Sequence, residues 1–82
     1  MTDIMTDNKD RAFKIHPYSK KELALMYFPH MDDPHAAVRK LMRMINLCRP
    51  LMKKLESNGY TKMAKAFTSK EVEMIIEHIG EP

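Results

Sequence analysis

Proline placement constrains this chain more than any other feature. Pro17, Pro29, Pro34 and Pro50 each bar a helix interior at their own position, because the ring removes an N–H and clashes with the preceding turn. Only short elements fit between them, and two capping boxes say where helices begin. Ser19-Lys20-Lys21-Glu22 sets a hydroxyl N-cap three residues before a Glu, and Thr68-Ser69-Lys70-Glu71 repeats the arrangement. In each box the hydroxyl accepts from the third-position N–H while the carboxylate reaches back to the N-cap N–H.

The first helix is expected over Lys20–Phe28, carrying Leu23, Ala24, Met26, Tyr27 and Phe28. Pro29 stops it by disfavouring the α conformation at Phe28. Asp33-Pro34 opens a second helix, as N-cap and first helical residue. Val38, Leu41, Met42, Ile45 and Cys48 then recur at helical spacing, with Ala37 and Met44 beside them and Arg39, Lys40, Arg43 and Asn46 on the other side. A third helix is expected from Pro50 to Ser57 with Leu51, Met52 and Leu55 inward, and Gly59 as a left-handed C-cap. The last helix follows the second capping box, buries Val72, Ile75, Ile76 and Ile79, and ends at Gly80. Phe13-Lys14-Ile15-His16 alternates like a short strand. Residues 60–67 read either as an extended arm or as a strand pairing with 13–16.

The expected architecture is a mostly α, single small domain over residues 12–82. It has about four helices, helix-turn-helix-like character and room for a short two-stranded β patch. Residues 1–11 are polar, aperiodic and expected to form a disordered tail. With 82 residues there is space for one core. A single Cys excludes an intrachain disulfide framework and a Cys-based zinc finger. Two Gly leave no Gly-rich phosphate loop, and no apolar run nears the roughly 20 residues that span a bilayer. The first residues lack the basic and apolar regions of a secretory signal, so the cytoplasm is the expected location.

Charge is distributed in blocks. From Pro34 to Lys70 there are nine Lys and Arg against one acid, Glu56, whereas Glu71 to Pro82 holds four acids and no Lys or Arg. Residues 1–10 add three Asp and one Lys. A net charge of only +3 therefore hides a basic middle between acidic ends, a pattern that suits a polyanion partner. Solvation of helix faces accounts for the same residues.

A helix-turn-helix presents its second helix to the major groove, N-terminal residues first. Here His35, Arg39 and Arg43 form one stripe at i, i+4, i+8, with Lys40 beside it. Arg forks onto guanine, and Arg or Lys holds phosphates. Lys20 and Lys21 would add backbone contacts, as would Lys62 and Lys65 if residues 60–67 form a wing-like arm. Against this, the connection Pro29–Asp33 exceeds the usual turn and carries Asp32 and Asp33. His30, His35, Asp32 and Asp33 match no metal-ligand spacing, and Asp33 is better used as a cap. Cys48 on the apolar stripe reads as a buried inert thiol rather than a nucleophile. Met42, Met52 and Met74 read as core, while Met26, Met31 and Met44 are candidates for an exposed partner-binding patch.

The segments Tyr18–Pro29, Gly59-Tyr60 and Phe67–Ile75, together with the closing Gly80-Glu81-Pro82, resemble a family of small uncharacterised proteins of Bacteroides-type bacteria, known as a domain of unknown function. The resemblance spans about residues 13–82 and implies a bacterial origin and these domain limits, with no activity to import. The family pattern has an aromatic, often Trp, where this chain has Met44, and Gln where it has Glu71. A weaker similarity is to winged-helix DNA-binding domains of the MerR and excisionase type, through Glu22-Leu23-Ala24, Gly59-Tyr60 and Phe67-Thr68. This chain departs from them by an extra helix at Pro50–Ser57 and by Lys65-Ala66 where an Arg usually precedes the aromatic.

The expectation is a non-enzymatic DNA-binding module using His35, Arg39, Lys40, Arg43, Lys20, Lys21, Lys62 and Lys65, with no catalytic residues, metal or cofactor. The alternative is a protein–protein interaction or small structural module using the same exposed helix face. Oligomeric state is open.

Overall fold

A computed structural model describes residues 13–82; the tail expected at 1–11 lies outside the described residues. The order is β1 (Tyr18–Ser19), α1 (Lys20–Tyr27), α2 (Pro34–Leu47), α3 (Arg49–Ser57), β2 (Ala66–Phe67) and α4 (Ser69–Ile79). The protein is mostly helical, with four helices and a two-stranded antiparallel sheet among the described residues.

Both capping boxes form. Ser19 Oγ accepts from the Glu22 N–H at 3.0 Å and Glu22 Oε1 accepts from the Ser19 N–H at 2.9 Å. Thr68 and Glu71 do the same at 3.2 and 2.9 Å. The second box is the drier one, with Glu71 only 5% exposed. α1 ends one residue short of expectation, with Phe28 as C-cap, because Pro29 restricts it. The break between α2 and α3 falls at Cys48 rather than Pro50, so α3 starts at Arg49 with Pro50 in its first turn, where the missing N–H has no partner to lose. Gly59, at φ +93°, closes α3. Its N–H donates to the Glu56 carbonyl and the Tyr60 N–H to the Leu55 carbonyl, both at 3.0 Å, which is the Schellman arrangement.

The β patch exists but not where alternation placed it. Tyr18 pairs with Phe67 and Ser19 with Ala66, while residues 13–16 form no strand. They wrap the Tyr18 ring instead. Phe13 and His16 stack on it at centroid distances of 5.4 and 3.9 Å, and the Tyr18 hydroxyl donates to the Lys14 carbonyl at 2.7 Å.

The core is Leu23, Leu41, Ile45, Leu51, Leu55, Phe67, Val72 and Ile75, all essentially inaccessible. Each helix contributes one stripe, and Phe67 and Tyr60 plug the side under the sheet. Removing the methylenes of a residue such as Leu41 or Leu55 costs about 2–5 kcal/mol. Ile76, Ile79, Val38 and Met42 pack against this core while staying partly exposed. Among the described residues no helix is long and apolar enough to cross a membrane.

Candidate nucleic-acid interface

α2 is aimed by its buried stripe. Asp33 caps it by accepting from the His35 N–H at 3.0 Å, and Ala37, Leu41 and Ile45 are sealed against the core. The exposed residues are then His35, Arg39, Lys40, Arg43, Asn46 and Leu47. At 3.6 residues per turn they occupy about 140° of continuous arc. No acid lies on it.

A groove of about 630 Å³ runs along the His35 edge of this arc, lined by Ser19, Lys20, Lys21, His35, Val38 and the arm residues Lys62, Met63, Ala64 and Lys65. Five of the eight expected site residues meet here, across 42 positions of chain between Lys20 and Lys62. Among the described residues no Asp or Glu lines it. Lys20 and Lys21 are the first residues of α1, and His35 is the second of α2. The positive ends of two helix dipoles thus add to the lysine charges.

The lysines are not equivalent. Lys20 is tied down: its Nζ donates to the Lys62 carbonyl at 3.4 Å and stands 5.0 and 5.8 Å from the Tyr60 and Phe67 ring centres. It braces the arm. Lys21, Lys62 and Lys65 are exposed, and their ammonium groups make no hydrogen bond or ion pair among the described residues.

The remaining three expected residues, Arg39, Lys40 and Arg43, line a shallow depression with Ala36, Met44 and Leu47. Lys40 Nζ lies 4.7 Å from the Phe28 ring centre, which holds it toward the α1–α2 connection. The eight residues therefore form two adjoining clusters that share α2.

Three features escaped the sequence reading. Met63 is 88% exposed and Leu47 77%, although neither drew attention among the methionines and helix residues. Lys53, Lys54 and Lys70 gather with Ser57, Asn58 and Met74 around a second, smaller depression. The expected methionine patch does not assemble. Met26 sits with Phe13, Glu81 and Pro82, Met44 with Arg39 and Arg43, and Met31 packs on the core.

Other candidates resolve into structural roles. Cys48 is half-buried at the α2–α3 joint rather than fully buried on the stripe, because the helix ends there. His30 and His35 are both exposed, and among the described residues no group of three or more His, Cys, Asp or Glu is placed to hold a metal ion. The Tyr27 hydroxyl donates to the Gly80 carbonyl at 2.5 Å, tying α1 to the end of α4. Burial, and then the nearby Glu81 charge, push this phenol up to about 12.

No curated protein and no solved structure matches the chain. A family profile described as a domain of unknown function, DUF4248, matches residues 14–82, all but one of the described positions, and the chain belongs to that family.

Proposed function

We propose that this protein is a non-enzymatic, helix-turn-helix-like module that binds duplex DNA. In this reading the exposed arc of α2 enters the major groove. The neighbouring sugar–phosphate ridge lies in the basic groove between α2 and the arm.

One observation carries the reading: four lysines and a histidine converge with two helix N-termini on a groove that no acid lines among the described residues. Apart from the bracing contacts of Lys20, that arrangement works against folding. A cation in a first helical turn costs roughly 0.3–1 kcal/mol, and like charges sharing a groove repel. Local rules broken in this way mark a binding surface, and a polyanion is the partner that relieves both costs. His35, Arg39 and Arg43 then face base edges, while Lys21, Lys62 and Lys65 hold phosphates. Such contacts are electrostatic first, and their affinity falls with salt as counterions are released.

An acidic protein segment is the second reading. Val38, Met63 and Ala64 in the groove and Leu47 on the arc favour it, since DNA backbone needs no apolar floor.

A gel-shift titration on random duplex separates the two. About five phosphate contacts give a log–log salt slope near −4 to −5. Arg39→Glu/Arg43→Glu is expected to abolish binding at low salt with folding intact. Absence of binding by the unaltered protein, together with a stoichiometric acidic protein partner that survives nuclease, would reverse the order of the readings.

A further inference from the structure

Among the described residues Met63 has the highest exposure of the large hydrophobics, at 88%. A lone exposed apolar side chain is ordinary; the mounting of this one is not. The Ala64 N–H donates to the Thr61 carbonyl at 3.1 Å, closing a tight turn around Lys62 and Met63. Lys20 grips both sides of that turn, through its Nζ on the Lys62 carbonyl and its backbone N–H on the Lys65 carbonyl at 2.9 Å. Beyond the turn, Tyr60 and Phe67 are anchored in the core with their rings 5.7 Å apart. The arm is therefore a braced finger with a thioether near its tip. Lys62 and Lys65, both exposed and unpaired among the described residues, flank that tip.

We propose that Met63 is a wedge. With Lys62 and Lys65 on flanking phosphates, it enters the minor groove beside the backbone ridge held in the basic groove and partly unstacks a base step. The proposal rests on the DNA reading above and extends it to the arm.

The chemistry fits on three counts. Apolar wedges that open base steps include Met. An unbranched thioether adapts to the irregular gap between unstacking bases. The ammonium groups on either side supply attraction that carries an apolar tip toward a polyanion, which Met alone lacks. The groove adds a geometric reason. α2 forms one wall through His35 and Val38, and the arm forms the other. A strand lying between them puts α2 on its major-groove side and Met63 on its minor-groove side.

The test is the bend angle of a short duplex, read by end-to-end energy transfer, with the unaltered protein, Met63→Ala and Met63→Leu. The unaltered protein is expected to bend the duplex by tens of degrees, within about 20–90°. Met63→Ala is expected to lose most of the bend and about 3–10-fold in affinity, with an unchanged salt slope because no phosphate contact is lost. Met63→Leu is expected to keep the bend. Met63 is exposed, so unchanged thermal midpoints will show that folding is not at issue.

Binding without bending, or a bend that Met63→Ala leaves intact, overturns the wedge and leaves the DNA reading standing. No binding by the unaltered protein overturns both. Insertion of the arm into anionic vesicles with no effect of Met63 on DNA would assign the finger to a lipid surface instead.

Discussion

Two basic surfaces of this molecule have similar composition and different physics. The α1–α2–arm groove collects Lys20, Lys21, Lys62, Lys65 and His35; the α3–α4 depression collects Lys53, Lys54 and Lys70. Among the described residues neither is lined by an acid. In the groove, the helix-borne lysines, Lys20 and Lys21, sit at the start of α1, where they oppose the macrodipole. In the depression, Lys54 stands in the last turn of α3, where positive charge stabilises the helix, with Lys53 just before it, and only Lys70 stands at a helix start. Part of the second cluster's charge is already answered within the fold; in the first only Lys20 is, through the Lys62 carbonyl and the Tyr60 and Phe67 rings, and Lys21, Lys62 and Lys65 are unpaired among the described residues. Counting lysines would rank the two surfaces nearly alike. Their placement on the helices ranks the groove first.

The contrast predicts a graded series of variants, measured on one duplex at fixed salt. Arg39→Glu/Arg43→Glu is expected to lower affinity by about 100-fold or more, because it reverses two cations on the arc proposed to read bases. Lys62→Glu/Lys65→Glu follows with about 10-fold and a salt slope shallower by about two. An unchanged slope there would remove the arm from the interface.

Lys21→Glu is expected to weaken binding by only about 3-fold. It should also stabilise α1 by roughly 0.3–1 kcal/mol in urea unfolding, since it turns an opposed charge into a favourable one. Lys53→Glu/Lys54→Glu gives the smallest effect on binding, within about 2-fold, and the opposite effect on folding, a loss of roughly 0.5 kcal/mol. If Lys21→Glu and Lys53→Glu/Lys54→Glu moved stability in the same direction, the helix-end distinction between the surfaces would fail.

Much of the fold was legible because its signals are local. The two capping boxes, Asp33-Pro34 and Gly59 each act within four residues, and each does what its chemistry requires. The β patch was misplaced because two residues per strand carry no period. Its register depends on Tyr18 and Phe67 finding one another in three dimensions.

The site was legible as a set of residues and not as an assembly. His35, Arg39 and Arg43 share a helix face that spacing alone reveals. The meeting of Lys20 and Lys21 with Lys62 and Lys65 depends on the folded arm, and so does the difference between partly buried Met42 and protruding Met63. Identical residue types in helix and loop look alike in sequence until packing decides which one faces the solvent.

The central claim is that charge placement, rather than charge count, makes this surface a DNA site. The most direct measurement is the salt slope of duplex binding for Arg39→Glu/Arg43→Glu beside Lys53→Glu/Lys54→Glu. The account predicts a slope near −4 to −5 for the unaltered protein, retained in the α3 pair and lost with binding in the α2 pair. Equal losses in the two pairs would reduce binding to general basicity and contradict the account.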